Sequence, residues 1–333
     1  MNSEYFSLPL AEPLTTAAGE ITEREGFLVS VDEPTAGLGE ACPLPGWTES
    51  VDECRRALRE ADPDEIAGLP PAARHGAALA LLDAEARDED VPLYRYLGRE
   101  TRVDSVPVNA TVGDADASTT ADRVGAAVSE GFESVKLKLG VRSLDADLER
   151  VHAAREAAPD AELRLDANGA WDRETASRAV DAVTDHGVSY IEQPLPADDL
   201  AGHATLRGSG VGIALDEGLY EHGLDAVLEA EAADTLILKP MAMGGPDIAL
   251  EAAVVARGAG IDPVVTTTID GAVARAAAVH VAAAIPDMSP CGLATGELLA
   301  ADFQPDPAPV EAGRAHVPQR AGNTAATSPA DYA

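Results

Sequence analysis

The sequence is poor in lysine, in aromatic residues and in cysteine, and each shortage restricts the structures or partners that the protein can have. Only three of its 24 basic residues are lysine, and 58 acidic residues bring the formal net charge to −34. A chain this negative is repelled by phosphate backbones and by anionic lipid surfaces, so we expect no nucleic-acid partner and no membrane partner. Aromatic residues make up only 4%, so Ala, Val, Leu and Ile must fill the core.

The cysteine count and the hydropathy pattern are typical of an intracellular protein. The three cysteines form no CxxC motif, which argues against a disulfide framework and predicts buried apolar side chains. No apolar run approaches the roughly 18 residues that a membrane span needs, and no basic N-terminal region precedes an apolar core. We expect a cytoplasmic protein. Because acidic residues occur along the whole chain, we interpret them as halophilic adaptation to a salt-rich cytoplasm, with an ordinary acidic protein as the alternative.

The lysines that are present are Lys136, Lys138 and Lys239. Salt adaptation explains why lysine is missing elsewhere, so these three mark positions where arginine cannot substitute. Arginine does not release its proton near neutral pH, whereas its surroundings can tune a lysine amine to act as a base. The three lysines therefore predict proton transfer.

From residue 104 onward, short β-type runs alternate with alanine-rich stretches of helical spacing. Polar residues end successive runs at intervals of 28, 26, 24, 23 and 27 residues, the length of one βα unit. This pattern predicts an α/β fold, a (β/α) barrel of seven or eight units whose reactive groups lie at the C-terminal strand ends. An open doubly wound sheet is the alternative, although no glycine-rich nucleotide motif follows the first strand. The predicted strands cover 105–112, 133–140, 161–168, 188–194, 211–217, 234–240 and 262–268, with a weaker eighth near 289–295.

The rest of the chain does not follow the βα pattern. Residues 1–103 mix β-type runs with helical stretches and predict an α+β segment before the barrel. We expect the barrel to occupy 104–297 and a separate segment to follow at 298–320. The end of the chain, 321–333, has little apolar content and predicts a flexible tail.

Three carboxylates mark successive strand ends: Asp166, Glu192 and Asp216. Carboxylate oxygens are the ligands that Mg²⁺ prefers, so we predict a Mg²⁺ site here, in which Mn²⁺ is expected to substitute. Glu217 alternates to the other face of its strand and is not expected among the metal ligands. Lysines on neighbouring strands of such a metal site suit removal of a proton next to a substrate carboxylate, which predicts a small carboxylate as substrate.

Five short motifs follow one another in the chain: KxK at 136–138, DAN at 166–168, EQP at 192–194, DE at 216–217 and KP with GG at 239–245. Their order resembles the muconate-lactonizing-enzyme branch of the enolase superfamily over about residues 105–297. The resemblance implies a (β/α)7β TIM-like barrel, an N-terminal α+β capping domain at 1–103 on which the C-terminal segment 298–320 packs, and Mg²⁺ on the three carboxylates. It implies Lys138 as the base, Lys239 as the protonated amine that stabilises an enediolate, Lys136 as a neighbour that favours proton release, and Asn168 as a support of the metal site.

Two cap segments, 15–31 and 37–50, resemble o-succinylbenzoate synthases of menaquinone biosynthesis, with Trp47 where phenylalanine is usual. This resemblance implies a lyase that removes water from 2-succinyl-6-hydroxy-2,4-cyclohexadiene-1-carboxylate by syn elimination. An N-succinylamino acid racemase or dipeptide epimerase using the same two lysines remains open, as does a non-catalytic barrel that binds a small acid. The sequence does not determine the oligomeric state. The residues implied to contact substrate are Thr266, Thr267, Thr268 and Gly292.

Overall fold

The computed structural model describes residues 1–16, 19–32 and 34–332. Residues 17 and 18 of the cap segment 15–31, residue 33, and the last residue of the predicted tail lie outside the described part. None of the helices in the described part is long and apolar enough to cross a membrane. All three cysteines are buried and free, as predicted.

The cap, residues 1–103, pairs an antiparallel sheet with helices. Ser50 begins the first helix with a capping box, in which its hydroxyl accepts from the Glu53 backbone and the Glu53 carboxylate accepts from the Ser50 backbone. The long helix packs so closely on the third strand that a Cβ on Gly39 would lie 2.1 Å from the Gly76 carbonyl oxygen. The elements are β1 (Asn2–Thr16), β2 (Gly19–Val31), β3 (Gly37–Ala41), α1 (Val51–Glu60), α2 (Pro71–Asp88) and α3 (Leu93–Tyr96).

Seven parallel strands follow in one sheet, each beside its neighbour in sequence. This order excludes the doubly wound alternative, in which the strand order reverses. The strands are β5 (Ala110–Val112), β6 (Ser134–Lys138), β7 (Glu162–Asp166), β8 (Val188–Glu192), β9 (Gly212–Leu215), β10 (Thr235–Leu238) and β11 (Asp262–Val265), and β4 (Ser105–Pro107) precedes them. The helices are α4 (Ala117–Ser129), α5 (Leu144–Ala157), α6 (Arg173–Val183), α7 (Leu200–Leu206), α8 (Glu217–His222), α9 (Leu224–Glu229), α10 (Pro240–Met243), α11 (Pro246–Gly258) and α12 (Ala272–Ala284).

The predicted eighth strand is reduced to two residues. Cys291 forms a parallel bridge with Val108, and its backbone N–H donates to the Pro107 carbonyl at 2.9 Å. The Gly292 backbone N–H donates to the Val265 carbonyl, also at 2.9 Å. The described sheet is therefore not closed by a regular strand, although its two edges meet through this segment. Pro290, directly before it, has no N–H to extend the ladder. The α/β architecture fits a TIM-like barrel with an N-terminal cap.

Alternation along the strands sends apolar and polar side chains to opposite faces. Leu137 and Leu165 lie in the apolar layer between the strands and their helices, whereas Lys136 and Lys138 take the alternate positions. A separate inner cluster consists of Tyr190, Ala214, Ile237 and Val264. The helix side is thus alanine- and leucine-rich, and the ionisable groups face the interior.

The segment 298–320 divides its contacts between the cap and the barrel. The Ala300 N–H donates to the Pro9 carbonyl at 2.8 Å, and Phe303 stacks edge-on with Phe6. Further on, β12 (Val310–Glu311) and β13 (Arg314–His316) extend the chain back to β4. At its end the segment contacts the cap again, because the Gln319 amide donates to the Val103 carbonyl at 2.9 Å and accepts from the Tyr94 hydroxyl at 3.3 Å.

The tail that is predicted to be flexible makes hydrogen bonds with the cap and with α12 over its described residues. Asn323 is 1% exposed; its N–H donates to the Asp83 carboxylate and its side-chain amide donates to the Val273 carbonyl. Arg87 of α2 donates to the carbonyls of Thr324 and Ala326. The low apolar content of the segment is offset by hydrogen bonds to buried polar partners, which composition alone does not reveal.

The contact between His280 of α12 and Asn323 predicts how the stability of the protein depends on pH. Its Nδ1 accepts from the Tyr94 N–H at 3.2 Å, and its Nε2 lies 2.9 Å from the Asn323 carbonyl oxygen. Burial lowers the pKa of His280 to about 4. The unfolded chain, with a histidine pKa of about 6.5, takes up the proton first, so stability is lost as the pH falls from about 6.5 to 4, by up to about 3 kcal/mol.

We expect urea unfolding at pH 7 and pH 4.5 to show this loss in the wild type and a smaller loss in His280→Gln. The exposed His152 is the matched control, and His152→Gln should keep the wild-type pH dependence. An unchanged pH dependence in His280→Gln would contradict the assignment.

Candidate active site

Two lysines of β6 lie against the carboxylates of the next two strands. Lys138 is in register with Asp166, and its Nζ lies 2.6 Å from Asp166 Oδ2. Lys136 Nζ lies 3.0 Å from each Glu192 oxygen and 3.1 Å from Asp166 Oδ2. The backbone register, together with the alternation of β6, brings these four side chains together.

The third lysine comes from the far side of the row of strands. Lys239 follows β10, and its Nζ lies 2.7 Å from Asp216 Oδ2 at the end of β9. Its backbone N–H donates to the Tyr220 hydroxyl at 2.7 Å, which fixes the start of α10. We call Asp166, Glu192 and Asp216 the carboxylate row, because they end β7 and β8 and follow β9 in order.

The electrostatics of the row are set by burial and by the amines. Burial alone would raise the pKa of Asp166, but Lys136 and Lys138 lower it below its ordinary value. Burial and the neighbouring Asp166 charge raise the pKa of Glu192 to about 8. Burial disfavours the charge of Lys136, yet Glu192 and Asp166 raise its pKa well above the ordinary value. Three buried carboxylates in one row therefore favour additional positive charge.

The residues of the row fit a divalent cation. Asp216 Oδ1 is buried and has no hydrogen-bond partner among the described residues, which leaves one carboxylate oxygen for a ligand. All three side chains are oxygen donors, which suits Mg²⁺. Among the described residues, no three acidic, histidine or cysteine side chains are arranged closely enough to hold a metal ion together. Each carboxylate of the row instead contacts a lysine amine. Asp166, Glu192 and Asp216 are the residues that would hold the ion.

Asn168 connects the base candidate to Glu217, which the sequence analysis did not place among the metal ligands. Its Oδ1 accepts from Lys138 Nζ at 2.8 Å, and its Nδ2 donates to Glu217 Oε1 at 3.1 Å. Asn168 has a left-handed backbone, φ 44°, which turns its side chain away from strand alternation. Burial and Asp216 raise the pKa of Glu217. Strand alternation does not place the Glu217 side chain, because α8 begins at this residue and the period-2 rule ends before it; that Glu217 is not a metal ligand stays a prediction.

Gln193 is a further residue that the sequence analysis missed. It is fully buried with a left-handed φ of 43°, and its Oε1 accepts from the backbone N–H groups of Asp216 and Gly218 at 3.1 and 3.0 Å. Its Nε2 donates to the Leu195 carbonyl at 2.9 Å. The Gln193 side chain therefore positions the turn that carries Asp216. Its place inside the EQP motif was a signal, but the motif does not show which backbone groups the amide binds.

Replacing Gln193 by leucine is expected to lower the free energy of unfolding by about 1–3 kcal/mol, because two buried N–H groups lose their acceptor. The same variant should bind Mg²⁺ more weakly, since the turn carrying Asp216 loses its support. Thermal unfolding and calorimetric Mg²⁺ titration measure the two effects. Gln304→Leu, at an exposed position, is the control and should behave like the wild type. Wild-type stability and wild-type Mg²⁺ affinity of the Gln193 variant would contradict this role.

The four residues implied to contact substrate lie together at the ends of β11 and the eighth segment. Thr266 Oγ1 donates to the Gly292 carbonyl at 2.8 Å. The hydroxyls of Thr267 and Thr268 are buried and contact Thr295 and Asp270. The structure thus brings the predicted set to one place, with its hydroxyl groups hydrogen-bonded inside the protein.

Comparisons with known proteins identify the family of this chain. Residues 119–328 match the family described as enolase C-terminal domain-like. The chain belongs to the enolase C-terminal domain-like family. It is 35% identical over 303 residues to the o-succinylbenzoate synthase of Thermobifida fusca, a match that covers 89% of this chain and 82% of that protein.

Other proteins that resemble this chain carry a different name. The hydrophobic dipeptide epimerase of Enterococcus faecalis is 29% identical over 302 residues, covering 83% of this chain and 84% of that protein. The crystal structure of a dipeptide epimerase from Enterococcus faecalis V583, complexed with Mg and the dipeptide L-Leu-L-Tyr, superposes with a TM-score of 0.87 at 26% identity, covering 97% of this chain and 98% of that one. Relatives of comparable identity therefore carry the names of two different reactions.

Proposed function

We propose that this protein catalyses the Mg²⁺-dependent dehydration of 2-succinyl-6-hydroxy-2,4-cyclohexadiene-1-carboxylate to o-succinylbenzoate. The observation that carries the proposal is an amine at each end of the carboxylate row. Lys138 contacts Asp166 at 2.6 Å at one end, and Lys239 contacts Asp216 at 2.7 Å at the other. The similarity to a relative named o-succinylbenzoate synthase supports this reaction.

Lys138 is the proposed base. Its neutral amine takes the proton from the ring carbon next to the carboxylate, and the electrons of the broken C–H bond move into the carboxylate to give an enediolate. These electrons then return to the ring and expel the hydroxyl group, which receives the proton back from Lys138 and leaves as water. One residue removes and returns the proton, so the elimination is syn and Lys138 is regenerated.

The remaining groups stabilise the negative charge of the enediolate. Lys239, held by Asp216, contributes a positive charge at the other end of the row. Mg²⁺, when bound to the row, supplies Lewis-acid stabilisation of the substrate carboxylate, and Mn²⁺ is proposed to substitute. Lys136 holds Glu192 in place, and Asn168 orients Lys138 through its amide oxygen. We also place the succinyl chain near Thr266 and Gly292.

Racemisation or epimerisation is the second candidate. The relative named hydrophobic dipeptide epimerase, at 29% identity over most of the chain, favours it. Such a reaction needs a proton donor and acceptor on both faces of one carbon, and Lys138 and Lys239 supply two amines. The two candidates therefore share every residue of the carboxylate row and differ in how the second lysine is used.

The deciding experiment is an ultraviolet assay of the dehydration with and without EDTA, beside deuterium incorporation from D₂O into dipeptides and N-succinylamino acids. We expect metal-dependent formation of the aromatic product. Deuterium incorporation without turnover of the cyclohexadiene substrate would instead support the second candidate. Ligand binding with neither activity would support the non-catalytic alternative.

The domain division is part of the same proposal. Residues 104–297 form the catalytic barrel, in which the eighth segment closes the cylinder, and the cap together with the segment 298–320 covers the substrate. The contacts of Phe303 with Phe6 support this covering role for the C-terminal segment. We further propose a cytoplasmic, salt-adapted enzyme.

The proposed salt adaptation predicts how stability and activity depend on salt concentration. At a net charge of −34, repulsion between acidic side chains opposes folding, and raising the salt from 0.1 M to 1 M shortens the Debye length from about 10 Å to about 3 Å. We therefore expect the thermal unfolding midpoint and the activity to rise with KCl concentration. Sodium sulfate and sucrose controls separate charge screening from general stabilisation. Full cooperative stability in low-salt buffer would contradict halophilic adaptation.

A further inference from the structure

A tryptophan of the cap lies directly on the third lysine of the site. Lys239 Nζ is 3.3 Å from the centroid of the Trp47 ring. Trp47 belongs to the loop between β3 and α1, where its backbone N–H donates to the Leu44 carbonyl at 2.9 Å. The Thr48 hydroxyl in the same loop accepts from the Leu44 backbone N–H at 2.8 Å. A hydrogen-bonded cap loop thus brings an aromatic face to a barrel amine.

Tyr220 supports both partners from the barrel side. Its ring meets the Trp47 ring edge-on, with centroids 5.4 Å apart and an interplanar angle of 83°. Its hydroxyl accepts from the Lys239 backbone N–H at 2.7 Å and donates to the Ile237 carbonyl at 3.2 Å. The same tyrosine therefore holds the lysine backbone and the indole that covers the lysine side chain.

The two ends of the carboxylate row differ in access. The Lys239 side chain is 10% exposed, because the Asp216 carboxylate lies on one side of its amine and the indole on another. The Lys138 side chain is 36% exposed, and its amine contacts Asp166 and Asn168. No aromatic ring lies over Lys138 among the residues that the structure describes. One amine is thus open and the other enclosed.

We propose that Trp47 is a specificity-determining residue that encloses Lys239, so that a substrate carbon bound at the carboxylate row exchanges protons only with Lys138. Inversion at a carbon needs proton transfer on both faces, whereas syn elimination needs a single amine. Enclosing one of the two lysines therefore selects elimination over epimerisation. This inference rests on the proposed function, because it assigns the reaction to the same row.

The contact itself is tested without any activity measurement. Only three lysines are present, so the full-length protein labelled with ¹³C at the lysine ε-carbon gives three signals, assigned with Lys→Arg variants. In the Mg²⁺-loaded protein, the ring current of Trp47 is expected to shift the Lys239 ε-proton signal upfield. The shift should disappear in Trp47→Leu and persist in Trp47→Phe, which keeps an aromatic face.

The specificity role is tested by α-proton exchange of the L and D forms of an N-succinylamino acid in D₂O. In the wild type, the enantiomer whose proton faces Lys138 should exchange faster by about 10²-fold or more, the contribution of one acid–base group. In Trp47→Leu this ratio should fall towards unity, and Trp47→Phe should restore it. A purely structural role would lower both rates together and leave the ratio unchanged.

The outcomes separate the two proposals. An unshifted Lys239 signal, or an exchange ratio that Trp47→Leu leaves unchanged, overturns the role of Trp47. Absence of both dehydration and exchange in the wild type, with the upfield Lys239 signal present, overturns the proposed function and with it the selection of elimination, while the contact stands.

Discussion

Replacing Lys138 by alanine is expected to lower kcat of the proposed dehydration by about 10²–10⁴-fold, the range that a positioned general base contributes. Both the removal of the proton and its return to the departing hydroxyl are assigned to this amine. KM should change much less, because the substrate carboxylate is assigned to the metal and to Lys239. Steady-state kinetics at saturating Mg²⁺ give both values.

Lys138→Arg is the matched control for the charge of this residue. Arginine keeps a positive group beside Asp166 but does not release its proton near neutral pH, so we expect it to be as inactive as Lys138→Ala. The Lys138 side chain is 36% exposed, so both variants should unfold near the wild-type temperature. Substantial activity in the arginine variant would show that Lys138 acts by its charge alone.

Replacing Asp216 by asparagine is expected to weaken Mg²⁺ binding by at least about 10–100-fold, since even residues that only support a metal ligand have effects of this size. The substitution removes the charge of the carboxylate whose Oδ1 has no hydrogen-bond partner among the described residues. It also removes the anionic partner of Lys239, at 2.7 Å. Calorimetric Mg²⁺ titration measures the affinity, and activity should recover partly as Mg²⁺ is raised.

Glu133→Gln is the control for this second prediction. Glu133 is exposed and directly precedes β6, so it lies at the end of that strand opposite to Lys138. The substitution removes one negative charge from the chain without touching the carboxylate row, and Mg²⁺ affinity should stay at the wild-type value. Equal Mg²⁺ affinity of Asp216→Asn and the wild type would remove Asp216 from the metal site.

The strands of the sheet were predictable because their signals are local. A run such as 133–140 alternates apolar and polar residues, and β6 occupies Ser134–Lys138 within it. The length of one βα unit then orders the strands, and parallel strands expose their C-terminal ends on the same side. The extent of the eighth strand and the contacts of the tail were not predictable in the same way, because they depend on partners distant in sequence, such as Val265 for Gly292 and Asp83 for Asn323.

Beyond the strand ends, strand alternation no longer predicts where the side chains of the candidate site lie. Asn168 and Gln193 have left-handed backbones, so their side chains no longer follow strand alternation. Glu217 begins a helix, and its carboxylate turns back to the Asn168 amide. Sequence spacing therefore located the residues of the carboxylate row but not the side chains that position them.

The amino-acid sequence alone determined which residue types end each strand and in what order, because alternation and βα-unit length are properties of neighbouring residues. Only the tertiary structure decided which carboxylate each lysine contacts and that the cap residue Trp47 covers Lys239. Those contacts join residues far apart in the chain, 192 positions in the case of Trp47 and Lys239, and they exist only after the cap has packed on the barrel.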